Sequence, residues 1–354
     1  MRLVHRWLAL GGLAGAALLA NTATASARTI DVFPGHSIQA AVNRAHSGDV
    51  IDVHPGVYQG SVAIKKDDLA LRGAGDANGA TVIKPRAHTR RCGHGHSGIC
   101  ISRHRNANGH LVATAGTRIS DLRVEGFRDF GAVAQGAKDT IFRDNSFVHN
   151  DVYGVAAFGS HKTRFVRNVA KNGAEAGFYV GDSPDADVVL RSNRASRNGE
   201  FGFFLRDSSH AVAVHNRAAH NCLGIGVINT GAPGGARNWT VRDNVVRKNS
   251  RRCPGGEEGP PISGTGIVLL GAKHTRVRGN LVVQNVPTGP AAFAGGIVVA
   301  SSTPLGGTDA SHNRIVWNFA FRNHPDDLIW DGNGAGNVFR RNRCDTSAPG
   351  GLCN

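Results

Sequence analysis

The sequence predicts an all-β solenoid, with short strands wound three to a coil into one long stack and a single helix at its start. Three observations carry this. Asn recurs at Asn145, Asn168, Asn193, Asn216, Asn244, Asn280, Asn313 and Asn342, with gaps of 23, 25, 23, 28, 36, 33 and 29 residues. A period in the twenties, stretched by insertions, marks one structural unit repeated on itself. Most units carry a second Asn five residues on (Asn150, Asn198, Asn221, Asn249, Asn285 and Asn318), and Asn172 follows Asn168 after four. Seven of the eight units are preceded by a Gly-led run, among them GAVAQGA, GVAAFGS, GFYVGDS and GFFLRDS, whose apolar residues alternate with strand period. One coil of this size cannot bury its own apolar face, whereas stacked coils can.

The chain opens MRLVHRWLALGGLAGAALLANTATASARTI. Basic Arg2, His5 and Arg6, an apolar stretch from Trp7 to Ala20, and Ala25-Ser26-Ala27 predict a secretory signal peptide over residues 1–27. That stretch is too short for a membrane anchor, and no later segment is apolar enough to span. A single domain over 28–354 follows, expected to be secreted, extracellular and monomeric. Its cap covers about 29–48. Ser37 caps a short helix with Ile38, Ala41, Val42 and Ala45 on one face, which covers strand edges otherwise exposed at the end of the stack. Val50 to Val53, Val62 to Ile64 and Leu69 to Leu71 read as the first strands. A His/Cys-rich loop spans about 86–112, and regular coils run over about 117–345. Three residues before each first Asn stand Phe142, Phe165, Leu190, Ala213, Val241, Val277, Ala310 and Phe339, an inward column. Asn tolerates a left-handed turn, and its amide can bond to the Asn one coil above or below, so these Asn are scaffold. The leading Gly is expected to mark the other tight corner.

On these repeats the chain resembles the right-handed parallel β-helix proteins, the pectin-lyase-like group around pectate lyases and nitrous-oxide-reductase accessory proteins. The resemblance covers roughly residues 29 to 345. The stretch SIQAAVNRAHSGDVIDVHPGVYQGSVAIKKDDLALRGAG resembles the start of many such proteins. It implies right-handed coils.

Formal charge is +15, and +13 once the two leader arginines go. Such a balance suits an acidic polysaccharide or other polyanion, or serves solubility alone; nucleic acid is not expected. Six Cys in an exported chain predict three disulfides, with fifteen pairings open from the count. Cys222 and Cys253 fall in the same turn of adjacent coils. Cys92 with Cys100 and Cys344 with Cys353 would close local loops.

Counting from each Gly, the outward residues are Val133 and Gln135, Ala156 and Phe158, Tyr179 and Gly181, Phe204 and Arg206, Gly226 and Ile228, Val268 and Leu270, Val298 and Ala300. Phe158 and Phe204 could stack on sugar rings or lie under an inserted loop. One step on, Asp182, Asp207 and Asn229 form a polar file, and Asp129, Glu175 and Glu200, interrupted by Val152, form another. Stacked carboxylates repel unless a cation intervenes, so Asp182 and Asp207 are candidate Ca²⁺ ligands or else ordinary solvated turns. The insertions NTGAPGGARN, SRRCPGGEEGPPIS, VPTGPAAF and TPLGGTD flank this strand and would wall a groove. A second outward file, His149, Lys171, Arg197, His220 and Lys248, matches a linear polyanion or a solvated face that discourages aggregation.

Polygalacturonases are set aside: Gly93-His94-Gly95 comes early, and the Asp pairs, Asp67-Asp68 and Asp326-Asp327, do not match. Pectate-lyase and mannuronate-epimerase signatures are not found. His88, His94, His96, His104 and His110 beside two Cys could bind Zn²⁺ or Cu²⁺, although an exported Cys pair favours oxidation. The sequence therefore predicts engagement of an acidic polysaccharide. If catalytic, the chain would act by β-elimination, with Ca²⁺ on Asp182 and Asp207 and Arg206 or Tyr179 taking the proton. Lys171, Arg197 and Lys248 would help hold substrate. A non-catalytic binding or cell-surface structural protein, or a metal-handling accessory protein, is the alternative.

Overall fold

The computed structural model describes residues 27–75, 79–86, 92, 96–256 and 259–353. The predicted signal peptide falls outside these, apart from Ala27, as do His88 and His94. The chain forms a right-handed parallel β-helix. Each regular coil contributes a strand to sheet A (Arg118–Ser120, then Ile141–Arg143), to sheet B (Arg123–Glu125, then Ser146–Val148) and to sheet C (Phe130–Gln135, then Tyr153–Phe158). Successive coils pair in parallel, Phe142 on Phe165 in sheet A and Val124 on Phe147 in sheet B. Phe201–Val214 is one strand of 14 residues that serves sheet C at its start and sheet A at its end.

The column predicted from Phe142 to Val277 lies in the core, which also takes inward residues of sheets B and C. Phe142 and Phe165 stack at 5.4 Å and Phe178 and Phe203 at 4.8 Å, all fully buried. Helix Ile38–Arg44 follows Ser37, whose Oγ accepts from the Ala40 N–H at 3.2 Å. Its Ile38, Ala41 and Val42 join the same core, so the helix closes the first coil as expected. Val50–Val53 and Val62–Ile64 are strands as read and Ala70–Arg72 starts one residue later, but Thr29–Val32 comes before them and Gly56–Gln59 between them, two strands the sequence reading missed. All three predicted disulfides are present.

The Asn form two ladders. The first starts at Asn145, and Asn168, Asn193, Asn216, Asn244, Asn280, Asn318 and Asn342 each accept at Oδ1 from the N–H and side-chain amide of the Asn one coil earlier, at 2.8–3.1 Å. The second starts at Asn198, and Asn221, Asn249, Asn285 and Asn323 do the same. It ends on Asp327, which accepts from Asn323 N at 3.0 Å, Asn323 Nδ2 at 2.8 Å and Asp345 N at 3.0 Å. Every buried amide thereby finds a partner.

Four expectations are corrected. The left-handed residue is the one before each Asn, with φ near 55° at Asp144, Arg167 and His215, while the Asn stays in the regular region. The Gly that open the runs, Gly131, Gly154, Gly177, Gly202, Gly224, Gly266 and Gly296, have no positive φ. A Cβ on Gly131 would lie 2.5 Å from the Gly154 carbonyl oxygen and 2.7 Å from Asn150 Nδ2. It is Gly because the coils approach closely there. Asn313 does not open a unit: it pairs with Thr275 and Asn337, while Asn318 stacks on Asn280, so Ile315 replaces Ala310 in the inward column. Asn172 is the left-handed residue of its corner, and Gly173 takes the ladder position, accepting no side chain but donating its N–H to Asn198 Oδ1 at 3.2 Å.

Candidate functional site

The outward face of sheet C carries the predicted residues in the predicted order. Tyr179 pairs with Phe204 and Gly181 with Arg206 on adjacent coils. Their inward neighbours Phe178, Val180, Phe203 and Leu205 belong to the main core, and the outward ones form separate clusters on the other side of the sheet. Tyr179 is the floor of this face, fully buried, with Tyr153 stacked on it at 4.4 Å, Phe158 at 4.6 Å and Phe204 edge-on at 5.3 Å. Phe158 and Phe204 stay half-buried at the surface, as do Phe130 and Tyr153. Phe130 stacks on Tyr153 at 5.4 Å, and Phe201 on Phe204 at 4.2 Å. The result is a partly exposed aromatic surface several coils long.

Phe130, Tyr153 and Phe201 escaped the sequence reading. Each stands directly before the leading Gly, where simple alternation puts a residue inward. The missing side chain of that Gly faces the ladder amide and the core, so the alternation slips by one and the preceding aromatic turns outward. An aromatic before three of the seven Gly was the available signal.

At the edge of the aromatic surface, Arg206 Nε donates to Asp207 Oδ2 at 3.2 Å and to Thr230 Oγ1 at 3.3 Å. Asp207 is fully buried and also accepts from Thr230 N at 2.7 Å and Thr230 Oγ1 at 2.5 Å. Thr230 was not foreseen. Burial opposes the Arg206 charge, but the neighbouring Tyr179 phenol and Asp207 carboxylate favour it, and the balance lies above the ordinary arginine value. Arg206 is a fixed cation and cannot serve as a base. Burial, then the Asp182 charge, pushes the Tyr179 phenol well above the ordinary tyrosine value. Tyr179 is a neutral phenol under its neighbours.

Asp182 lies one coil before Asp207, exposed where Asp207 is buried. Both have positive φ, 51° and 43°, in the same corner file as Gly136 and Gly159. Left-handed turn chemistry accounts for both Asp, and the Asp207 oxygens are engaged by Thr230 and Arg206 rather than aimed at a cation with Asp182. Among the described residues no group of three or more His, Cys, Asp or Glu is placed to hold a metal. Beside Asp182 a hollow of about 470 Å³ is lined by Ser102, Arg103, Gln135 and Phe158. The file Asp129, Val152, Glu175, Glu200 stacks as drawn, and His96 N donates to Asp129 Oδ2 at 2.8 Å. His104 bonds Thr114 Oγ1 at 3.1 Å from a small hairpin, His104–Arg105 with Leu111–Val112. The disulfides Cys92–Cys100 and Cys222–Cys253 lie against the outer face at its two flanks.

On sheet B, His149, Arg197, His220 and Lys248 share a left-handed corner file, but Lys171 does not belong to it. Lys171 pairs with Val148 and Ser196, and Asn172 holds the place predicted for it. Arg197, His220 and Arg251 line a shallow hollow of about 540 Å³ there.

The architecture and the outer face define a parallel β-helix protein with an aromatic, loop-flanked strand face. The family model for the periplasmic copper-binding protein NosD matches residues 94–251, less than half of the chain. Among solved structures, the mannuronan C-5 epimerase AlgE4 A-module of Azotobacter vinelandii is similar at 17% identity and TM-score 0.58, covering 86% of this chain and 92% of that one. The periplasmic alginate epimerase AlgG is similar at 13% identity and TM-score 0.57, covering 89% and 82%. The Dettilon tailspike protein (gp208) is similar at 11% identity and TM-score 0.51, covering 88% and 68%. These likenesses establish the fold. No curated protein matches the chain. Among the described residues no helix is long and apolar enough to cross a membrane.

Proposed function

We propose that this is an exported protein that engages an acidic polysaccharide along the outer face of sheet C. The observation that carries the reading is the aromatic surface of Phe130, Tyr153, Phe158 and Phe204 with a fixed guanidinium, Arg206, at its edge. Aromatic rings offer flat apolar area to sugar faces, and a guanidinium fixes a carboxylate in two-point geometry. Export is supported by the leader sequence and by three disulfides. The similarity to proteins named for alginate and mannuronan points to the same polymer class. Arg206 acts as the clamp for the carboxylate, held in place by Asp207 and Thr230. A charged Arg206 and a protonated Tyr179 support binding over β-elimination, and Ca²⁺ on Asp182 would assist only by bridging to a polymer carboxylate.

Affinity gel electrophoresis in alginate, polygalacturonate and a neutral glucan tests this. The acidic gels should retard the protein, and Phe204→Ala should weaken retardation by about tenfold, as for a central interface aromatic. Equal mobility in all gels would sink the reading. Ultraviolet absorbance of unsaturated uronate in the same samples, with and without Ca²⁺, reports elimination if it occurs.

A second reading, a metal-handling accessory protein, is favoured by the family match over 94–251. Copper in stoichiometric amount in protein purified after Cu²⁺ loading and desalting would support it.

A further inference from the structure

A different face carries unpaired positive charge. On the outside of sheet A, Arg276 pairs in register with Arg314, and Arg278 with Val316. One coil on, Val316 pairs with Arg340. Arg341 follows, its guanidinium 4.7 Å from the centre of the Trp317 ring. These side chains are all exposed, Trp317 at 47%, and with Val316 they line a hollow of about 280 Å³.

In the early coils of sheet A, among the described residues, Arg118, Arg143, Arg164 and Arg191 form no ion pair either, but they are spread over several coils, and two nearby arginines are neutralised. Arg72 is paired with Asp52 at 2.8 Å and Arg167 with Asp144 at 2.5 Å, each across adjacent coils. In the late coils, among the described residues, none of the five arginines forms an ion pair. Asp243, one coil before Gly279 in the corner file that continues to Trp317 and Arg341, is held by Arg242 at 2.7 Å. Like charges opposite each other in a sheet are destabilising, and strand neighbours sit about 4.8 Å apart. A face kept soluble by charge needs no such concentration and no exposed Trp at its centre. A linear polyanion relieves the repulsion, because arginines on successive coils meet charges repeated along the polymer. Trp317, 47% exposed, offers flat apolar area for a sugar ring.

We propose that Arg276, Arg278, Arg314, Arg340 and Arg341 around Trp317 form an anchoring site for a linear acidic glycan, separate from the groove on sheet C. The proposal shares the polymer class with that groove but none of its residues.

The test uses the full mature chain in polygalacturonate affinity gels over a range of salt. Three variants are compared: Arg276→Ser/Arg314→Ser/Arg340→Ser, Trp317→Ala, and Phe158→Ala/Phe204→Ala in the groove. Circular dichroism confirms folding, and the substituted sheet A positions are exposed. The triple arginine variant should bind at least about tenfold more weakly, with a flatter salt dependence, as expected when several ionic contacts go. Trp317→Ala should weaken binding with the salt slope kept. Triple-variant binding equal to that of the unaltered chain overturns the anchor. If only the groove variant loses binding, the anchor falls and the groove reading stands; the reverse pattern overturns the groove and keeps the anchor. Tighter retention of a single-stranded oligodeoxynucleotide than of polygalacturonate, lost in Trp317→Ala, overturns the glycan assignment.

Discussion

Asn216 shows what one residue does in this stack. It accepts from Asn193 N and Nδ2, both at 3.0 Å, donates to the Leu190 carbonyl oxygen at 2.9 Å and gives Nδ2 to Asn244 Oδ1 at 3.0 Å. Asn216→Ala leaves buried groups above and below without a partner. We expect a loss of about 2–4 kcal/mol, seen as an earlier midpoint in a urea melt. The three tyrosines give a second residue-scale prediction. Burial raises Tyr58, Tyr153 and Tyr179 above the ordinary phenol value. A group raised in the folded state stabilises below its unfolded value, near 10, and loses that contribution as pH rises through the folded value. Phenolate absorbance should therefore appear together with loss of circular dichroism, not before it. The ladder Asn were legible in sequence because amides recur. The left-handed residues were not, because Asp144, Arg167, Ser192 and His215 share no chemistry and the coil, not the side chain, imposes their φ.

At the scale of elements, phase was harder to read than period. Asn313, Asn318 and Asn323 lie five apart, and the two ladders and the corner position of Thr275, Asn313 and Asn337 also lie five residues apart round the coil, so the sequence alone permits a slip by one column. The same geometry explains why Phe158 and Phe204 were found and Phe130 and Tyr153 were not. Parity holds after the leading Gly and breaks at it. Disulfide register, by contrast, followed from the repeat. Cys222–Cys253 closes a loop of 31 residues beside the outer face of sheet C. Closure of a loop that size is worth about 3–4 kcal/mol in the chain-entropy account. Cys222→Ser/Cys253→Ser should leave the coils folded by circular dichroism but open residues 250–264 to limited proteolysis, with weaker retardation in alginate gels. Uncut protein with unchanged retardation would show that this wall does not shape the face.

The whole molecule is a line of nearest-neighbour contacts, so damage at one end need not spread. Asp49, buried in the N-terminal cap, accepts from Arg28 Nη2 and His46 N, both at 2.8 Å. The Arg28 side chain, then the His46 N–H, hold its carboxyl well below the usual carboxylate range. A lowered folded value contributes stability above the unfolded value, about 4, and loses it as pH falls through the folded one. Asp49→Asn should melt earlier than the unaltered chain at about pH 6, and the two melting temperatures should converge on acidification below about pH 4. A gap that persists in acid would show that the pairing does not set cap stability. The second Asn ladder makes the line directional. Each amide hands a proton donor forward and receives one from behind, so the column is a file of dipoles with a single sense. Asp327 can receive and has nothing to pass on. Any lengthening of this column by duplicating a coil must therefore occur upstream of Asp327, the carboxylate acting as a full stop written into the stack.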